Sequence, residues 1–77
     1  MDRAALQRRL VETEKKIASG QHQIAGQRET IAELERNGRP TDHAKYLLAA
    51  LELLQAAHRD GRKRLLRELG NNSNFCS

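Results

Sequence analysis

"NGRPT", residues 37–41, is the stretch on which the fold turns. Asn37 and Gly38 can end a helix through a left-handed residue, Pro40 cannot continue one, and Thr41 or Asp42 can cap the next. Five residues therefore carry both a stop and a start. Before them, from Asp2 to Arg36, there is no proline, and Leu6, Leu10, Ile17, Ile24, Ile31 and Leu34 recur at spacings of three, four or seven. That is one face of a helix. After them, Leu47, Leu51, Leu54, Leu65 and Leu69 mark the apolar side of a second helix, and Gly70 introduces the polar "NNSNFCS". The sequence predicts an all-α chain: a helix over about 2–37, a turn at 37–41 and a helix over about 42–69. Together they make one domain over 1–70, followed by a tail, 71–77, expected to be disordered.

The composition agrees. Of 77 residues one is Phe, one Tyr and none Trp, and 31% are charged. Leu, Ala, Glu, Gln, Arg and Lys dominate, and these are the strong helix formers. Periodic Leu and Ile separate the chain from disordered sequences and place it with coiled coils. The opening "MDRAALQRRL" has no apolar stretch suited to a signal peptide, and no segment approaches the roughly 20 apolar residues of a membrane span. The expectation is a cytoplasmic protein. Cys76, the single cysteine, has no internal partner and reads as a tail thiol.

A connection this short joins antiparallel neighbours, so the helices should fold back as a coiled-coil-like hairpin. With the turn centred near residues 38 to 40, Ile31 is expected to meet Leu47 and Ile24 to meet Leu54. Leu10 should reach the Leu65 turn, Ile17 should lie opposite Gly61, and Gly20 opposite Ala57 and His58. The predicted seam is Leu10, Ile17, Ile24 and Ile31 against Leu47, Leu51, Leu54 and Leu65. The glycines admit two readings: close helix approach, or simple weakening of the helices.

Two helices have more apolar surface than one hairpin can use. Beside the Ile row runs Val11, Ala18, Ala25, Ala32, whereas the other coiled-coil row includes Thr13, Gly20 and Gln27. A strict seam therefore looks incomplete, with the apolar arc widened toward the alanines. "YLLAALELLQAA", residues 46–57, is equally overfull. Val11, Ala18, Ala25, Ala32, Leu48 and Leu53 are thus expected to form an oligomer face, covered by a second copy in a homodimeric four-helix bundle. A larger oligomer, or the helix of a separate protein partner, is the alternative cover.

Folding the hairpin also gathers ten of the fourteen basic residues at its open end, against five acidic ones, for a net +5; the turn half carries −1. Arg59, Arg62, Lys63 and Arg64 form the densest cluster, a candidate anion-binding site for nucleic acid. No interleaved aromatics and no helix-turn-helix or zinc-finger spacing accompany it, and a solvated face with i to i+4 pairs is the plainer reading. The three histidines lack companions for a metal site. No nucleophile, base and orienting acid stand together, and no glycine-rich phosphate loop is present. The expected site therefore contains no catalytic residue, no cofactor and no metal.

"LQRRLVETEKKIASGQHQIAGQRETIAELERNGR" followed by "LLAALELLQAAHRDGRKRLLREL" resembles small helical-hairpin proteins of unknown function from soil proteobacteria. The shared features are the Leu-Gln-Arg-Arg-Leu start, the Ile-Ala-Glu-Leu-Glu helix end and the leucine-rich second helix, over about residues 4 to 69. The resemblance implies a bacterial cytosolic protein. It carries over no active residue, cofactor or partner.

Overall fold

A computed structural model describes residues 2–75. It contains α1 (Arg3–Arg36) and α2 (Asp42–Phe75), which pack side by side in a rod with extents of 61 × 14 × 14 Å. Among the described residues there is no strand.

The turn follows from backbone hydrogen bonding. Gly38 takes the left-handed conformation, with φ 67°. Its N–H donates to the Glu35 carbonyl at 3.1 Å, and the Arg39 N–H reaches back to Leu34 at 2.9 Å. This is the Schellman pattern, which satisfies carbonyls that the end of a helix leaves without partners. Pro40 then blocks further winding, and the Lys45 N–H donates to the Thr41 carbonyl at 2.8 Å as α2 begins. At the far end α2 does not stop at Leu69. It continues through Gly70 to Phe75, so the expected tail at 71–77 is helical as far as residue 75; Cys76 and Ser77 lie outside the described residues. Glycine costs a helix roughly 1 kcal/mol but does not end it unless it turns left-handed. Gly38 is the positive-φ glycine here, and Gly70 is not.

The α1 side of the seam is one unbroken row at alternating spacings of four and three: Leu6, Leu10, Thr13, Ile17, Gly20, Ile24, Gln27, Ile31 and Leu34 are all buried or half-buried. Thr13, Gly20 and Gln27 do not interrupt it, contrary to the sequence reading. Each has a local accommodation. The Thr13 hydroxyl donates to the Arg9 carbonyl at 2.8 Å, Gln27 Nε2 donates to the Ala44 carbonyl at 3.0 Å, and Gly20 makes room for Gln55.

On α2 the seam keeps the expected Leu51 and Leu65, both half-buried, and departs by one residue at the other two expected positions, Leu47 and Leu54. Leu47 and Leu54 are 41% and 54% exposed, while Ala44 and Gln55 are buried and Leu48, Leu51 and His58 half-buried. Gln55 is 4% exposed and its Nε2 donates to the Ile17 carbonyl at 2.8 Å. Gly20 accordingly faces Gln55 rather than Ala57 and His58. A Cβ at Gly20 would lie 2.9 Å from Gln55 Cδ and nearer still to Oε1, whereas one at Gly26 or Gly61 would meet nothing within 4 Å. Close approach thus explains Gly20 and not the other two.

Candidate interaction surface

With Leu48 drawn into the seam, α2 keeps a different set of apolar side chains outside. Tyr46 is 73% exposed and Leu53 76%, and Leu47, Ala50, Leu54 and Ala57 are exposed with them. At about 100° per residue these six share an arc of roughly 120° on the flank and back of α2. Within it His43, Leu47, Ala50, Leu54 and Ala57, all exposed, repeat the alternation of four and three that defines a coiled-coil seam. Hence α2 carries two seams, one covered by α1 and one open.

The expected oligomer face is divided by this geometry. Val11 is 53% exposed, Ala18 and Ala25 are exposed, and Ala32 is half-buried. Ala25 lines a shallow groove with Arg28, Glu52, Arg59, Asp60 and Lys63. Leu54 lines a groove with Lys16, Ser19, Gln23 and His58. Gln55 lines both grooves from the seam between them, so Ala25 and Leu54 lie on opposite sides of the hairpin. The alanine side is bridged by charge: Arg28 Nη2 and Glu52 Oε2 are 3.0 Å apart. Val11, Ala18, Ala25 and Ala32 do not join Leu53 in one patch, and Leu48 belongs to the hairpin interior. The sequence excess in residues 46–57 places Ala50 and Ala57 outside the hairpin, as observed; that Leu47 and Leu54 join them there is not legible, because both also fit the row that faces α1.

The rod-shaped chain leaves more surface accessible than a globule of the same mass would. Its accessible area is 6017 Å², against about 4,700 Å² for a compact globular monomer of 8.7 kDa. The excess, about 1,300 Å², exceeds the roughly 800 Å² that each partner contributes to a standard interface.

At the open end, Arg3 Nη1 donates to the Leu69 carbonyl at 3.3 Å, which fixes the start of α1 beside the later turns of α2. Arg59, Arg62, Lys63 and Arg64 are all exposed there. Among the described residues no group of three or more His, Cys, Asp or Glu side chains is placed to hold a metal ion, and no helix is long and apolar enough to cross a membrane. His58 is half-buried and His22 exposed. No family model, no curated protein and no solved structure matches the chain.

Proposed function

We propose that the protein is a non-enzymatic interaction module whose hairpin associates with a second copy through α2, giving a cytoplasmic homodimer of four helices. The observation that carries this reading is the open second seam, with Leu53 and Tyr46 about three-quarters exposed beside Leu47 and Leu54. Apolar residues at coiled-coil spacing gain little in water and gain most against another helix. The test is light scattering after size exclusion at micromolar concentration. The expected mass is twice the 8.7 kDa of the chain, and Leu53→Glu with Leu54→Glu should return the single-chain mass with the helices intact. A folded wild-type monomer would sink the reading.

A second reading is favoured by the exposure of Arg59, Arg62, Lys63 and Arg64 together at the open end. It makes the hairpin a nucleic-acid-binding accessory protein held by phosphate contacts. Binding to duplex DNA or RNA should then weaken steeply with salt and disappear when those four residues are neutralised. Absence of binding at about 50 mM salt, where phosphate contacts are strong, would remove it.

A further inference from the structure

We propose that the two copies meet through antiparallel α2 helices related by a two-fold axis near Glu52, an inference that rests on the self-association reading above. The open seam is self-complementary about that point. Residues equidistant from Glu52 pair as Leu47 with Ala57 and Ala50 with Leu54, all four exposed, so each of these layers sets a large side chain of one copy against a small one of the other; further out, exposed His43 comes level with half-buried Gly61. Alternation of large and small lets helices interdigitate closely. Shifting the partner by one heptad spoils this: Leu47 would meet Arg64, or Ala57 would run past the start of the other helix at Asp42. Glu52 does not obstruct the seam, because its carboxylate is turned to Arg28 of its own α1.

The flanking row fits the same arrangement. Tyr46 and Leu53 are spaced by seven along the edge of the open seam, and both are about three-quarters exposed. Antiparallel pairing brings Leu53 against its own counterpart near the axis. Leu53, the most exposed large apolar side chain among the described residues, is thereby covered.

Charge selects the antiparallel direction. It brings Arg59, Arg62, Lys63 and Arg64 of each hairpin level with the turn of the other, where Glu33, Glu35 and Asp42 lie. A parallel pair would stack two +5 ends. Like charges at that density oppose association, most strongly at low salt.

Nitroxide pairs at two positions test the direction, each as a single cysteine in a Cys76→Ser background. Ala49→Cys and Lys63→Cys lie on the same row of α2, so their lateral offsets match. In the antiparallel dimer their axial separations are about 9 Å and about 33 Å, from six and twenty-two residues at 1.5 Å each. A markedly longer distance for Lys63→Cys than for Ala49→Cys is expected. Equal distances would overturn the antiparallel pairing, as would a longer one for Ala49→Cys. Light scattering on the same samples separates the two proposals: a dimer with the wrong distances discards this geometry alone, and a monomer without dipolar coupling discards both.

Discussion

Gln55 and Gly20 occupy one another's space across the hairpin. The Gln55 carboxamide is buried, its Nε2 donates to the Ile17 carbonyl at 2.8 Å, and its Oε1, without a hydrogen-bond partner, rests over the bare backbone of Gly20. Replacing Gly20 by alanine brings roughly 1 kcal/mol of helix propensity. It also expels the carboxamide, losing a hydrogen bond worth about 1 kcal/mol and either stranding the amide or leaving a gap, at about 1–3 kcal/mol. Gly20→Ala should therefore lower the free energy of unfolding by about 1 kcal/mol or more. Gly26→Ala, with open space at the Cβ, should raise it by up to about 1 kcal/mol. Urea titrations followed by circular dichroism give both signs, and a stabilised Gly20→Ala would mean that Gln55 is not seated as described.

The turn should respond differently, because its glycine is needed for conformation rather than room. Nothing lies within 4 Å of a Cβ at Gly38, yet its φ is 67°. An L-residue there costs about 1–2 kcal/mol, and asparagine tolerates the position better. Gly38→Ala should destabilise by that amount and Gly38→Asn by less, read as shifts in urea midpoint at constant slope. Equal effects would show that the left-handed turn is not what holds the connection.

The turn was legible because several local signals coincide in five residues: Asn37, Gly38 and Pro40 each have a steric reason to stop a helix. The α1 seam was half legible. Its isoleucines lie in the row expected of them, but Thr13, Gly20 and Gln27 join them only because α2 supplies Ala44 and Gln55 at matching heights, which no local pattern states. On α2 the apolar row Leu47, Leu51, Leu54 and Leu65 is half right: Leu51 and Leu65 are half-buried, whereas Leu47 and Leu54 are exposed. Hydrophobicity ranks rows by content, whereas the hairpin selects the row whose shape fits: Gln55 is buried because glycine stands opposite, and Leu54 stays outside. Helix continuation past Gly70 is not legible, because residue type does not distinguish a glycine that turns left-handed, as Gly38 does, from one that stays helical, as Gly70 does.

That distinction between rows can be measured. Ile17 is 7% exposed and Leu54 54%. Ile17→Ala removes buried methyl groups from the hairpin itself and should cost about 2–4 kcal/mol at any protein concentration. Leu54→Ala should cost little at the lowest concentrations and progressively more as association sets in, because binding adds to stability by mass action. Comparing urea midpoints at about 1 μM and at about 200 μM, concentrations chosen to straddle weak association, reveals the difference. A Leu54→Ala loss independent of concentration would put Leu54 inside the hairpin.

The exposed ion pairs should contribute little. Arg28 with Glu52 at 3.0 Å, and Lys45 with Glu35 at 3.8 Å, have side chains roughly half exposed. Such pairs are worth about 0–1 kcal/mol and are screened by salt. Arg28→Ala should shift the unfolding free energy by less than about 1 kcal/mol, and raising salt to about 1 M should erase the shift. A larger, salt-resistant loss would indicate that the Arg28 stem covers apolar surface of α2.

Gln55→Glu turns the buried donor into a pH-dependent one. An ionised carboxylate at this position would oppose the Ile17 carbonyl oxygen across what is now a 2.8 Å hydrogen bond. Burial and that oxygen both disfavour the charged form, so the introduced carboxyl has a higher pKa in the folded than in the unfolded chain. The folded state then holds the proton more tightly. Stability relative to wild type is fully retained below about pH 4.3, the unfolded value, and is lost as pH rises through the folded pKa. Below that range the neutral carboxyl can donate to Ile17 and replace the amide. Above it the loss should level at about 1–3 kcal/mol, the cost of an unsatisfied buried polar group, or more because the group is charged. Urea midpoints of the variant minus those of wild type, from pH 3.5 to pH 8, trace this curve. A flat difference would mean that residue 55 reaches water, and the Gly20 slot would then need another occupant.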